Sequence, residues 1–148
     1  MKNSDAINRV LRNTEISLII ILHIFIGLEF LNIKDANIAI LVVLSLISAI
    51  YLYRLFERPY IKSRNRTEIV IYKFAAFSWF YVSLAIIFHL ANNLYSYFIL
   101  SSACTLLILS LILFSYLKLR NKKFKLPKPR DIIRTIILLI ISLILFFT

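Results

Sequence analysis

Five long stretches of the chain consist almost entirely of apolar residues, and they restrict the possible folds more than any other feature. They cover residues 16–31, 36–53, 69–90, 94–117 and 132–147. A helix needs ~20 apolar residues to cross the ~30 Å hydrocarbon core of a bilayer. The stretches are apolar on every side and do not alternate as the strands of a membrane β-barrel do. The sequence therefore predicts an all-α, polytopic bundle of four to five transmembrane helices.

We predict a single membrane domain over residues 1–148, because 61% of the residues are hydrophobic and only 17% are charged. Its helices are expected at about residues 15–33, 36–54, 68–91, 94–118 and 131–148. The number of transmembrane helices is given as four to five because the last stretch is short. Its roughly seventeen apolar residues extend only ~25 Å, less than the ~30 Å core of a bilayer. Arg134 lies in its first turns, and we expect its guanidinium to extend to the cytoplasmic interface.

The connections between the apolar stretches alternate between strongly basic and nearly uncharged, which predicts the orientation of the chain. Lys and Arg are frequent before the first stretch and in the loops at 54–67 and 118–131, whereas the other connections hold only Lys34. Short cytoplasmic loops are enriched in Lys and Arg. We therefore expect a multi-pass protein of the cell (inner) membrane, with its N-terminus and both basic loops in the cytoplasm.

The second basic loop is the strongest candidate for a contact surface. Its basic residues are Lys118, Arg120, Lys122, Lys123, Lys125, Lys128 and Arg130. Each basic residue near an anionic membrane surface contributes ~1 kcal/mol, so anionic lipid headgroups are the expected partner, with an acidic protein as the alternative. The formal net charge of +11 is explained by this topology, and we do not expect nucleic acid binding.

Three apolar stretches that run outward from the cytoplasm begin with a similar signal. Thr14 and Glu15 precede the first, Thr67 and Glu68 the third, and Asp131 the fifth. Thr or Asp can cap free backbone N–H groups, and an acid is favoured at the positive end of a helix. We expect these residues to mark helix starts.

Several common chemistries are excluded by composition. One glycine leaves no room for a phosphate-binding loop or a dinucleotide fingerprint, and one cysteine excludes a disulfide within the chain. His23 and His89 are too far apart in predicted depth to hold one haem. We therefore expect no metal and no cofactor, and the sequence favours a protein that is not an enzyme.

One polar cluster is predicted inside the membrane. Glu29, Tyr81 and the pair Ser101 and Ser102 fall at nearly the same predicted depth in the outer half of the bundle, and His23 is a further ionisable residue of the first helix. A carboxyl group exposed to lipid costs several kcal/mol, so Glu29 is expected to turn toward the hydroxyls. The alternative is that Glu29 reaches water at the outer surface.

Three functions remain open at this level. The first is a non-enzymatic accessory or assembly subunit, because small residues such as Ser45, Ala49, Ala75 and Ala103 allow close helix packing, with a homo-oligomer or a membrane protein partner. Packing within one monomer explains the same residues. The second is a pore or ion-conducting effector, because ionisable groups in the membrane often line a pathway. The third is an enzyme or flippase partner that acts on a lipid-linked substrate.

Overall fold

A computed structural model of the chain describes residues 2–30, 36–56, 66–91, 94–120 and 128–147. These residues form five α-helices and no strand. The helices are α1 (Lys2–Phe30), α2 (Ala36–Phe56), α3 (Arg66–Leu90), α4 (Ser96–Arg120) and α5 (Pro129–Phe147). The prediction of an all-α fold is confirmed for this part of the chain.

Three of the helices are long and apolar enough to cross a membrane, judged by length and composition over the described residues. They are Ile38–Phe56 in α2, Arg66–Leu90 in α3 and Ser96–Leu119 in α4. Charged residues also lie in the other two helices. Arg9, Arg12 and Glu15 lie in α1, and Arg130, Asp131 and Arg134 lie in the first turns of α5.

The bundle is organised around α3, which packs against α2, α4 and α5. Within the described ranges, the backbone of α1 packs against α2 alone, and that of α5 packs against α3 and α4. Ala75, Ala76 and Ala85 of α3 and Ala103 of α4 are completely buried. Side chains this small let neighbouring helices approach closely, which is how helices gain contact energy in lipid.

Serine hydroxyls add hydrogen bonds to this close packing. Ser110 of α4 donates to Ser78 of α3 at 2.9 Å, and Ser78 donates to the carbonyl of Phe74 at 2.9 Å. Both serines are buried, so their hydroxyls are satisfied inside the bundle. In contrast, the small residues Ser45 and Ala49 of α2 lie on the outer surface of the monomer.

The helix starts follow the predicted signals only in part. α1 begins at Lys2, so Thr14 lies inside the helix and its predicted capping role is wrong. α5 follows the prediction in part, because it begins at Pro129 and Asp131 is its third residue, whose carboxylate reaches back and accepts a hydrogen bond from the backbone N–H of Lys128 at 3.1 Å. Pro129 stands at the first helical position, where its missing N–H costs nothing. α3 begins at Arg66, next to the expected Thr67.

A buried charge cluster as candidate functional site

Four charged side chains from three helices meet at one end of the bundle. Glu15 comes from α1, Arg54 from the last turn of α2, and Asp131 and Arg134 from the first turns of α5. We call these four residues the charge cluster. Glu15 and Asp131 are each 1% exposed, and the side chains of Arg54 and Arg134 are each 9% exposed. Charges buried to this degree are costly unless they are paired.

Glu15 lies between the two arginines. Nη2 of Arg54 donates to Oε2 of Glu15 at 2.5 Å, which joins α2 to α1. Nε of Arg134 lies 2.5 Å from Oε1 of the same carboxylate, which joins α5 to α1. The second contact is an ion pair without hydrogen-bond alignment, so Oε1 has no hydrogen-bond donor, and Nε of Arg54 has no acceptor.

Arg134 is held by groups other than Glu15 as well. Its Nη1 donates to Oδ1 of Asp131 at 3.3 Å, one turn earlier in the same helix. Its guanidinium carbon lies 4.5 Å from the ring centroid of Trp79 and 5.7 Å from that of Tyr51. A guanidinium over an aromatic face is attracted by the ring electrons, more strongly when both are out of water. The expectation that Arg134 extends to the interface is wrong, because its side chain turns into the bundle.

Trp79 is the aromatic platform of the site. It is completely buried in α3, and its Nε1 donates to Oγ1 of Thr135 at 2.9 Å. The Thr135 hydroxyl in turn donates to the carbonyl of Asp131 at 2.7 Å. The rings of Tyr51 and Tyr72 lie 5.8 and 6.1 Å from Trp79. Trp79 therefore joins α2, α3 and α5 beneath the charge cluster.

The charge cluster holds together two helices whose backbones do not touch in the described residues, α1 and α5. Its two carboxylates and two guanidiniums balance in formal charge. Removing one member of such a buried set is strongly destabilising because the remaining charge is left without compensation. The cluster can therefore fix the position of α1 and α5 against the core.

The structure brings together only part of the polar cluster predicted in the outer half. The Tyr81 hydroxyl lies 3.0 Å from Oγ of Ser102, within hydrogen-bond distance between α3 and α4. Ser101 is exposed, and exposed His23 contacts the carbonyl of Ile19 in its own helix at 2.7 Å. The side chain of Glu29 lies outside the described part of the structure, so its role stays a prediction.

Replacing Tyr81 by phenylalanine is expected to lower the free energy of unfolding by only about 0.6 kcal/mol, a typical value for a hydrogen bond between membrane helices. The ring and its stacking on Phe77 are retained, so the hydroxyl is the only group lost. Thermal unfolding in detergent measures the effect, with Ser102→Ala as the reciprocal variant. Strict additivity of the two substitutions would contradict a shared hydrogen bond.

The predicted basic surface is described only in part. Lys118, Lys128 and Arg130 are exposed, and Nε of Arg130 lies 3.9 Å from Oδ1 of Asp131 at the edge of the charge cluster. The side chain of Arg120 and residues Lys122, Lys123 and Lys125 lie outside the described residues. Their contact with lipid headgroups stays a prediction.

Within the described residues, no three His, Cys, Asp or Glu side chains lie close enough together to hold a metal ion. Comparisons of the chain with models of known families, with curated proteins and with solved structures found no match.

The charge cluster is not among the sites that the sequence predicts. The local sequence predicts helix starts at Glu15 and Asp131, an interface position for Arg134 and a basic loop at Arg54. One signal was present, because all four residues lie at apolar boundaries on the same predicted side of the membrane. Trp79 was a second signal, as an aromatic residue far from either predicted interface.

Proposed function

We propose that this chain is a five-span protein of the cell (inner) membrane that works as a non-enzymatic accessory or assembly subunit. In this proposal the N-terminus and both basic loops are cytoplasmic, and the charge cluster lies at the cytoplasmic end of the bundle. The protein then acts through the helix surfaces that it presents to a second copy or to another membrane protein.

The observation that carries the proposal is the closed, neutral charge cluster. Glu15 and Asp131 are each 1% exposed, and both are engaged by arginines of the same chain. A general acid or base must instead reach its substrate directly or through one water molecule. Carboxylates used in this way support the architecture of the bundle, which fits a subunit better than an enzyme.

The two faces of α5 support its assignment as a fifth span. The inward face carries Asp131, Thr135 and Ser142, which are buried. The outward face consists of large apolar side chains, namely Ile133, Ile136, Ile137, Ile140, Leu143, Ile144 and Phe147. Such a face suits lipid, and the 19 residues of the helix extend ~28 Å, close to the thickness of a bilayer core.

The proposed orientation predicts the accessibility of the second basic loop. A Lys123→Cys substitution, made together with Cys104→Ala to remove the native thiol, should react with a membrane-impermeant maleimide only after the inner face is opened. The positive-inside rule is the physical reason, because the opposite orientation would translocate both basic loops. Ready labelling in intact cells would contradict the orientation.

The accessory role is tested by the mass of the particle after gentle extraction. We expect a defined complex, either a multiple of the monomer or the monomer with a stoichiometric partner, when extraction and light scattering are done in mild detergent. The sets Ser45 with Ala49 and Ser101 with Thr105 are exposed on α2 and α4, so larger residues there should dissociate the complex. A monodisperse monomer across mild detergents would contradict the role.

A pore or ion-conducting effector is the second candidate, favoured by the charge cluster itself. Ionisable groups at membrane depth are often placed along an ion pathway, and the arginines of an opened cluster would favour anions. Purified protein in liposomes distinguishes the two functions. Ion flux that is lost in Arg134→Leu but kept in Tyr81→Phe would support the pore, and no flux above empty liposomes would exclude it.

A further inference from the structure

We propose that Arg54 and Arg134 form a binding site for a phosphate group, and that Glu15 occupies this site in the closed state of the protein. The ligand class is an oxyanion of phosphate, supplied by an anionic lipid headgroup of the inner leaflet or by free phosphate. The inference extends the proposed function by naming a ligand, and it rests on the proposed membrane placement of the charge cluster.

The first step of the argument is that the site is built largely without Glu15. Arg134 is oriented by Asp131 at 3.3 Å and by the Trp79 ring at 4.5 Å. Trp79 is in turn fixed by its hydrogen bond to Thr135. These contacts would remain if the Glu15 carboxylate withdrew, so the guanidinium would stay in place for another anion.

The second step is that a carboxylate does not use all that the site offers. Nε of Arg54 is buried without a hydrogen-bond acceptor, and Oε1 of Glu15 is buried without a well-directed donor. A guanidinium presents five N–H groups in a planar fork that matches phosphate as well as carboxylate oxygens. Phosphate has more oxygens than a carboxylate, so it can accept from Nε of Arg54 in addition to the groups that already contact Glu15. It therefore fits the unused donor better than Glu15 does.

The third step concerns access. The described backbones of α1 and α5 do not pack against each other, and the pair of Glu15 and Arg134 bridges the space between these two helices. Arg54 lies two residues before the end of α2, and Arg134 lies five residues after the start of α5. At ~1.5 Å per residue both are within ~8 Å of helix ends that adjoin the basic loops. In the proposed orientation these helix ends adjoin the inner headgroups, and the guanidinium of Arg134 turns away from them toward Trp79. A lipid phosphate would therefore enter between α1 and α5 from the headgroup side.

The test compares wild type, Glu15→Gln and Asp5→Asn in neutral detergent. Asp5→Asn is the matched control, because it removes the same charge from α1 ten residues away, or ~15 Å along the helix. Each protein is heated alone, with phosphatidylcholine, with phosphatidylglycerol and with inorganic phosphate. We expect phosphatidylglycerol or phosphate to raise the Tm of Glu15→Gln by about 5 °C, and that of the other two proteins by less than half as much.

The two anions identify the source of the ligand. A rise with phosphatidylglycerol alone assigns the site to a lipid headgroup, and a rise with inorganic phosphate assigns it to the phosphate group itself. Adding Arg54→Gln to Glu15→Gln should abolish either response. Equal shifts in all three proteins would overturn the proposal, since they would show a general effect of anions on a basic chain.

A second variant covers the case in which Glu15→Gln does not fold in neutral detergent. Glu15→Asp keeps the charge but shortens the side chain by one methylene, which weakens its competition with an added anion. Its Tm should then respond to phosphatidylglycerol more than that of wild type, and an identical response would overturn the proposal. These measurements use detergent, so they are independent of membrane orientation, which the Lys123→Cys labelling tests separately.

Discussion

Glu15→Leu is expected to be the most destabilising substitution in the charge cluster, lowering the free energy of unfolding by about 3–5 kcal/mol in neutral detergent. The carboxylate is the direct partner of both Arg54 and Arg134. Leucine fills a similar volume, but it leaves Arg54 without its carboxylate partner and Arg134 with Asp131 alone. The cost is therefore electrostatic, because packing volume changes little.

The measurement is detergent-based unfolding followed by the fluorescence of Trp79, the single tryptophan of the chain. Its ring lies against Arg134, so its emission reports on the site as well as on global unfolding. Asn13→Leu is the control, because Asn13 is exposed two residues earlier in the same helix, and it should stay within about 0.5 kcal/mol of wild type, as surface substitutions usually do. Equal losses in the two variants would show that Glu15 has no special role.

The double variant Glu15→Leu with Arg54→Leu tests the pairing of these two residues directly. It removes one negative and one positive charge, and Arg134 keeps Asp131 as its partner at 3.3 Å. We expect the double variant to lose less stability than the sum of the single variants, with a coupling energy above about 1 kcal/mol. Additive losses would contradict the described pairing.

The sequence was sufficient to predict the helices but not the charge cluster that joins them. Apolar stretches long enough for a bilayer are a local signal, and α2, α3 and α4 follow from it directly. α1 was placed too late in the chain, because Thr14 and Glu15 resemble a helix start and the residues before them are polar. Local capping chemistry could not distinguish a helix start from a polar segment inside a longer helix.

The pairing of Glu15 with Arg54 and Arg134 depends on contacts far apart in sequence. Arg54 lies 39 residues from Glu15, and which helices are neighbours is decided by packing against α3. Arg134 had two plausible environments at the end of a membrane helix, headgroup water or a buried partner. The partner is favoured in the structure because α5 turns its polar face inward, toward Trp79 and Glu15.

Trp79→Ala is expected to cost about 3–5 kcal/mol, the range for removing a large buried aromatic side chain. The indole is completely buried and contacts Tyr51, Tyr72 and Arg134. In lipid the hydrophobic effect contributes little between helices, so the loss comes from dispersion contacts, the hydrogen bond to Thr135 and the cation–π contact. Circular dichroism during detergent-based unfolding measures it, because the variant has no tryptophan fluorescence.

Two further variants separate these contributions. Thr135→Val keeps the side-chain shape but leaves the Trp79 N–H without its acceptor, and it should cost about 1–3 kcal/mol. Phe88→Ala removes another aromatic ring from α3, but this ring is 41% exposed on the outer surface, so the loss should stay below about 1 kcal/mol. The expected order of destabilisation is therefore Trp79→Ala, Thr135→Val, Phe88→Ala. A Phe88→Ala loss equal to that of Trp79→Ala would contradict the role of Trp79 as the rigid aromatic platform that positions Arg134.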